Sequence, residues 1–383
     1  MPRTLRNLIV NIMAAFIRDR DARHKFRNKY KIRSKFRKLR DDNRILFNDN
    51  KILKHEIEIT KKEIATIKSQ NCFRYSPNTI AMCKSFYSQF SDKDLPEKYL
   101  KLIKGLDEES ISCVSRFLSR TKLISQLEQN KSGILDFFTE DEKYKIAKFR
   151  KEFGQKITQL SENCWAYGKY LFPIRGADNS SIYFRHQIPY LKNIERLRNK
   201  DFIDVGCYIG DSALIFTEYT DGKIYSFEPT TRNYNLALKT IELNNCKNII
   251  PVKMALGSKD ETLPIKIQGG SSTLTKNTPI YKDESPNEII NVTTLDRFLE
   301  DKDLDIGLIK VDIEGFEQEF LKGAEQTIRK HRPTMLLSIY HNASDFFDIK
   351  PLIESWNLGY KFQVSSPLNG TYGIDTLLLC EID

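Results

Sequence analysis

Three short segments of this chain concentrate residue types able to hold and transform a ligand. The first, FIDVGCYIGD (Phe202 to Asp211), is an apolar run carrying Asp204, then Gly206 and Gly210, just ahead of a helical stretch. Glycines at such a turn let a ligand approach the backbone, and the start of the following helix offers unpaired N–H groups. The second, KIYSFEP (Lys223 to Pro229), ends in Glu228, 22 residues after Gly206, where a carboxylate can hold both hydroxyls of a ribose. Together they imply a nucleoside-containing cofactor, with Asp204, Gly206, Gly210, Asp211 and Glu228 as its candidate contacts. A nicotinamide dinucleotide asks for G-x-G-x-x-G, because the backbone must hug a pyrophosphate. Here Cys207 and Tyr208 follow Gly206 and that cradle is incomplete. The loop suits a nucleoside without phosphates, S-adenosylmethionine, whose ammonium Asp204 meets directly or through water unless it only caps the turn.

The third segment, IKVDIEG (Ile309 to Gly315), sets Asp312 and Glu314 at the end of another apolar run, and a later one ends in Tyr340 and His341. Two carboxylates and an imidazole at the same edge of a sheet are equipped for binding or proton transfer. GGSST (Gly269 to Thr273) is a hydroxyl-rich loop that either contacts substrate or simply turns the chain.

These residues need strands to present them. Beyond Pro173 the sequence alternates short β-rich runs with amphipathic helical patterns. Strands are expected at 202–207, 223–227, 249–255, 308–312, 335–340, 360–364 and 376–380. Strands separated by helices predict an α/β fold, a doubly wound, mainly parallel, Rossmann-like sheet, over residues 171–383. Residues 71–170 read as a helical linking region, with periodic stretches at 95–127 and 139–160. The second of these opens on a capping box from Thr139 to Glu142.

The chain has 383 residues, 40% apolar and 29% charged, which is compatible with more than one domain and excludes a disordered protein. Its longest apolar run, Leu8 to Ile17, is half of what a bilayer span requires and is followed by charges where a signal peptide would have small residues. A cytoplasmic protein is expected. Seven scattered cysteines without a C-x-x-C pair suggest neither a disulfide framework nor a zinc site. The net charge of +10 is uneven: residues 1–70 hold 20 Lys/Arg against 8 Asp/Glu, and the other 313 residues come to −2.

Within residues 1–31, Leu5, Leu8, Ile9, Ile12, Met13, Phe16 and Ile17 form one helical stripe, and ten Lys/Arg with no acid follow between Ala22 and Arg40. That pattern describes a helix lying on an anionic membrane surface, here the inner face. A stripe packed on the protein's own core, or an RNA-binding arm with Phe26, Tyr30 and Phe36 among the bases, are the other readings. Residues 32–70 carry a 4-3 repeat from Ile32 to Ile67 with Asn43 and Asn50 at a positions, acidic g positions (Asp49, Glu56, Glu63) and basic e positions (Lys54, Lys61, Lys68). Those columns predict a parallel coiled coil and a homodimer through residues 32–67, since a lone amphipathic helix explains the apolar stripe but not the sorted charges.

Taken in order, FIDVGCYIGD, SFEP, NIIPVKMALG (Asn248 to Gly257), GGSST, VTTLDRFL (Val292 to Leu299), IKVDIEGFE, LKGA (Leu321 to Ala324) and HRPTMLLSIYH (His331 to His341) resemble the FkbM-type S-adenosylmethionine-dependent methyltransferases over about residues 201–380. The resemblance implies a class I methyltransferase fold and O-methylation, often of sugar or polyketide hydroxyls, and bacterial members commonly accompany glycan biosynthesis. Cys207 and Tyr208 depart from the small residue usual there, and residues 365–370 differ from the family pattern. The expected enzyme is an O-methyltransferase acting on a sugar hydroxyl of a bacterial surface glycan or its lipid-linked precursor. Asp312 or His341 is the expected base and Glu314 orients the acceptor or the base. A divalent metal at Asp312 and neighbouring carboxylates is compatible with the pattern but not required by it. The alternatives are an RNA methyltransferase and an inactive membrane-attached dimeric scaffold.

Overall fold

A computed structural model of the protein describes residues 73–382 apart from residue 92 and residues 129–132, 269–270, 275–287 and 372. The arm expected at 1–31 and the coiled coil expected at 32–70 lie outside the described residues. The chain enters as β1 (Phe73–Tyr75), followed by α1 (Pro77–Ser88), α2 (Leu95–Ile103) and α3 (Glu108–Ser125). The periodic stretch expected from 95 to 127 is therefore two helices. Gly105, at φ 74, takes a left-handed turn that ends the first, and the Asp107 carboxylate caps the second by accepting from Ser110 N–H at 2.8 Å.

Next come β2 (Gly133–Leu135), which pairs with β1, and α4 (Glu140–Gln155), opened by the complete capping box of Thr139 and Glu142. Helical periodicity was expected to run to residue 160. Instead Ile157 begins a three-stranded antiparallel sheet, β3 (Ile157–Ser161), β4 (Cys164–Tyr167) and β5 (Tyr170–Phe172).

Residues 71–170 are thus neither purely helical nor a linker. Phe117 of α3 stacks on Phe346 at 4.3 Å, and Phe86 of α1 meets the same ring at 5.7 Å. Both contacts belong to one core shared with the α/β body. Ser110 also accepts the N–H of Val364 at 2.9 Å, satisfying an edge-strand donor that water would otherwise have to satisfy.

After α5 (Asn179–Ile182), the body alternates as the sequence pattern requires: β6 (Asp201–Val205), α6 (Asp211–Phe216), β7 (Ile224–Phe227), α7 (Thr231–Leu243) and β8 (Ile249–Val252). A four-stranded sheet then intervenes, made of β9 (Ala255–Leu256), β10 (Glu261–Gln268), β11 (Ser271–Leu274) and β12 (Glu288–Thr293). It corrects the single strand expected at 249–255, because the chain leaves the main sheet after Val252 and Ala255 pairs with Val292. The hydroxyl-rich segment at 271–273 is part of β11, hydrogen-bonded to β10.

The remainder is α8 (Leu295–Leu299), β13 (Ile306–Val311), α9 (Glu317–Gly323), α10 (Glu325–His331), β14 (Thr334–Ser338), α11 (Ala343–Ser355), β15 (Lys361–Ser365) and β16 (Leu377–Glu381). The main sheet runs in the order β8-β7-β6-β13-β14-β16-β15. Only β16 is reversed, and it pairs antiparallel with both neighbours. Strand order turns back on itself between β6 and β13, and such a switch point opens a crevice at the carboxyl ends of the strands. The strands on either side are buried on both faces, with Phe202, Ile203, Leu308 and Ile309 fully covered.

Candidate active site

A cleft of about 480 Å³ opens at that switch point, lined by the ends of β6, β7 and β13 together with residues 176–186 and 374–375. Gly206 ends β6 at φ 80, and a Cβ there would stand 2.0 Å from the Asp312 carbonyl oxygen, so only glycine allows the loop to lie this close to β13. Gly210, at φ 83, precedes α6 in a left-handed conformation and packs against Ala237 of α7 rather than lining the cleft. The buried Glu228 faces the cleft. Its Oε1 accepts from Thr230 N–H at 3.0 Å and from the Thr230 hydroxyl at 2.6 Å, and burial pushes its pKa up to about 7. Asp211 also lines the cleft, but its Oδ2 accepts from Asp178 N–H at 2.7 Å, so it ties the 176–181 segment to α6. Burial, reinforced by the Asp178 charge, pushes its pKa up to about 7 as well.

Asp204 lies behind the cleft wall. It is fully buried beneath the loop and does not line the cleft: Oδ2 accepts from the Ser212 hydroxyl at 2.6 Å and Oδ1 lies 3.3 Å from Lys310 Nζ. The reason is register, since Asp204 is paired directly with Lys310 across β6 and β13. Its carboxylate is engaged by Ser212 and Lys310 beneath the loop.

Asp312, Glu314 and His341 are brought together. The His341 side chain is 4% exposed; Nε2 lies 3.4 Å from Asp312 Oδ1 and 3.7 Å from Glu314 Oε2, and Nδ1 lies 2.9 Å from Glu317 Oε1. Burial opposes a charge on this ring, but Glu317, Glu314 and Asp312 outweigh it and push its pKa up to about 10. With no cation between them, these three carboxylates favour the protonated ring. Asp312, the other expected candidate, is held below the ordinary carboxylate range by His341 and Lys310 against the effect of burial. Glu314 lines the cleft at φ 58, its side chain partly open to solvent.

Sequence reasoning missed Asp178, His186, Lys310, Glu317 and Asp375. Lys310 carried a readable signal, a lone cation inside a strand otherwise apolar on both faces. Nothing local marks His186. It lines the cleft from a segment in which Arg185, His186 and Gln187 all have positive φ (53, 46 and 62), and its Nε2 lies 2.8 Å from the Ser181 hydroxyl. Burial and the Lys310 charge push its pKa down to about 3, so this imidazole is neutral.

Six carboxylates line the cleft (Asp178, Asp211, Glu228, Asp312, Glu314 and Asp375) against one permanent cation, Lys310. Such a wall selects cations, and a sulfonium nucleoside with an ammonium tail fits its charge, its glycine-lined approach and its volume. No zinc-like cysteine cluster occurs among the described residues, whereas Asp312, Glu317 and His341 offer donor atoms within 4.8 Å of one another.

Residues 204–362 match the model of the methyltransferase FkbM domain. A "Methyltransferase 1" of Beauveria bassiana (strain ARSEF 2860) is 27% identical over 185 residues, covering 43% of this chain and 74% of that protein. Among solved structures the chain is similar to a methyltransferase FkbM from Methylobacillus flagellatus KT, at 18% identity and a TM-score of 0.47. That likeness covers 75% of this chain, and the chain spans 59% of the length of that relative. It is also similar to a putative methyltransferase from Streptococcus mutans in complex with SAH, at 10% identity and a TM-score of 0.34, covering 52% of this chain and 95% of that one. Residues 204–362 of this chain are thus similar to the methyltransferase FkbM domain.

Proposed function

We propose that the protein is an O-methyltransferase whose acceptor is a sugar hydroxyl of a bacterial surface glycan or its lipid-linked precursor. What carries the reading is the cleft at the switch point, whose lining gathers Glu228, the Gly206 turn, Asp312 and Glu314. Glu228 would hold the ribose of S-adenosylmethionine, the backbone at Gly206 would lie against the nucleoside, and the carboxylate wall would attract its positive charge. Bound there, the cofactor supplies an electrophilic methyl group. The protein's own share is alignment of the acceptor oxygen with that methyl and removal of a proton. A sugar hydroxyl is a poor acid, and Asp312 or His341 is the group placed to take its proton, with Glu314 orienting the acceptor.

The basic amphipathic stripe of residues 1–31 supports peripheral attachment to the inner face of a membrane, which confines the enzyme to the surface where a lipid-linked acceptor is found. No helix among the described residues is long and apolar enough to cross a membrane. The charge columns of residues 32–67 support a parallel homodimer.

Calorimetry with S-adenosylmethionine tests the cofactor assignment. Wild-type protein should bind it, and Glu228→Ala should weaken binding tenfold or more. Mass spectrometry of surface glycans from a deletion strain tests the acceptor, since methyl ethers present in the parent should be missing. Cofactor binding with an unchanged glycan profile, together with methyl transfer to RNA that weakens steeply with salt, would replace the glycan by a nucleic acid.

A further inference from the structure

The His341 ring is almost entirely buried, and neither of its nitrogens makes an aligned hydrogen bond among the described residues. Nε2 points toward the carboxylates of Asp312 and Glu314, at 3.4 and 3.7 Å. Those gaps are wide for an N–H···O bond, which closes to about 2.7–3.2 Å. They are close to the spacing of two donor atoms that share a metal ion. With metal–ligand bonds of roughly 2.1 Å, neighbouring donors stand about 3.0–3.4 Å apart. On the other edge of the ring, Nδ1 rests 2.9 Å from Oε1 of the fully buried Glu317. Glu317 is itself fixed, since its Oε1 accepts the N–H of Ile313 at 3.0 Å. A carboxylate behind one ring nitrogen, with the other nitrogen facing further carboxylates, is how proteins orient a histidine that ligates a metal.

We propose that His341 Nε2, Asp312 and Glu314 form a divalent-cation site at the acceptor end of the cleft, with Glu317 as the positioning residue that holds the ring. Carboxylate oxygens with one imidazole suit a hard or borderline ion of the Mg²⁺ or Mn²⁺ type and offer no thiolate for a softer one. Asp312 and Glu314 both line the cleft, so an ion held between them faces the position of the acceptor. A hydroxyl bound to such an ion loses its proton more readily, which eases the deprotonation that the proposed methyl transfer needs. That role rests on the reading above. The site itself rests on the geometry of four side chains.

Mn²⁺ is the probe. The full chain is freed of metal with a chelator and titrated with Mn²⁺ while the free-ion signal is followed by electron paramagnetic resonance. One Mn²⁺ per chain should bind. Glu314→Gln and Asp312→Asn should each weaken it tenfold or more, and Glu317→Gln by about 10- to 100-fold, as for other residues behind a ligating histidine. Glu228→Gln should leave Mn²⁺ binding unchanged. Glu314 is 39% exposed at its side chain, so its variant should fold even if changes at the buried histidine do not, and thermal unfolding checks this. No saturable binding up to millimolar Mn²⁺, or binding that Glu314→Gln and Asp312→Asn both leave intact, overturns the site. Mn²⁺ binding of the expected pattern in a protein that ignores S-adenosylmethionine upholds the site and overturns the methyltransferase reading.

Discussion

Lys310 and Asp204 face each other across β6 and β13, with Nζ 3.3 Å from Oδ1 and both residues buried from solvent. The ammonium also donates to the carbonyl oxygens of Gly206, at 2.6 Å, and Val205, at 3.4 Å. Burial works against its charge, but Asp204, Asp312 and Asp211 outweigh that and hold its pKa above the ordinary lysine value. One buried cation therefore balances Asp204 and also pins the turn that lines the cleft. Lys310→Met removes both effects and leaves Asp204 as an uncompensated buried carboxylate. Loss of one partner from a buried pair costs about 3–5 kcal/mol. Urea unfolding should show a loss of that size, and Asp204→Asn added to Lys310→Met should restore much of it. Equal stability of the two variants would mean that the pair is not coupled.

Gly206 offers a test of the loop alone. Its φ is 80, and an added Cβ would stand 2.0 Å from a backbone oxygen that cannot swing away. Gly206→Ala should lower stability by about 1–3 kcal/mol through strain and should weaken S-adenosylmethionine binding by more than tenfold. Gly105→Ala, also at positive φ but with open space around it, supplies the control: measurable strain with unchanged cofactor affinity. A loss of affinity shared equally by both would show a general loss of fold.

The acidic wall predicts a pH dependence. Burial raises the pKa values of Glu228 and Asp211 to about 7, above the ordinary carboxylate range. Between that range and pH 7 the native state thus holds more protons than the unfolded chain. Their contribution to stability is fully present at acid pH and is lost as pH rises through about 7. A cationic ligand favours the ionised forms, so its binding should release protons. S-adenosylmethionine affinity should accordingly rise several-fold from pH 6 to pH 8 in calorimetry, with less of a rise in Glu228→Gln. A flat profile in the wild type would show that these carboxylates do not meet the ligand's charge.

The proposals for residues 1–70 are separable from the catalytic ones. Lys54→Glu, Lys61→Glu and Lys68→Glu together would oppose like charges along the e and g positions and should convert a dimer to a monomer in light scattering, most clearly at low salt. Leu8→Ser, Ile12→Ser and Phe16→Ser should release the protein from anionic vesicles while cofactor affinity stays the same. A wild-type protein that is monomeric, or that never sediments with vesicles, removes the corresponding proposal.

All seven strands of the main sheet, the turn at Gly206 and the acid at Glu228 were legible because each depends on a local pattern. Apolar runs of strand length, glycines where φ is positive, and an acid at a strand end are written in consecutive residues. The capping box at Thr139 was legible for the same reason, its two bonds spanning three residues. Where the pattern misled, distant pairing had decided the matter. Ala255 extends a second sheet because Val292 lies beside it, and residues 71–170 pack onto the body because Phe117 finds Phe346. The chemistry of the cleft divides the same way. Sequence alone marks Asp204 and Asp312 as acids at strand ends, but only register sets Asp204 opposite Lys310, where it is used internally, and only folding encloses His341 among Asp312, Glu314 and Glu317. A residue's type is local, whereas its charge state and its neighbours depend on burial and on chain segments far away in sequence. That is why the turn at Gly206 and the acid at Glu228 could be read from spacing while the protonation of the histidines had to await the tertiary structure.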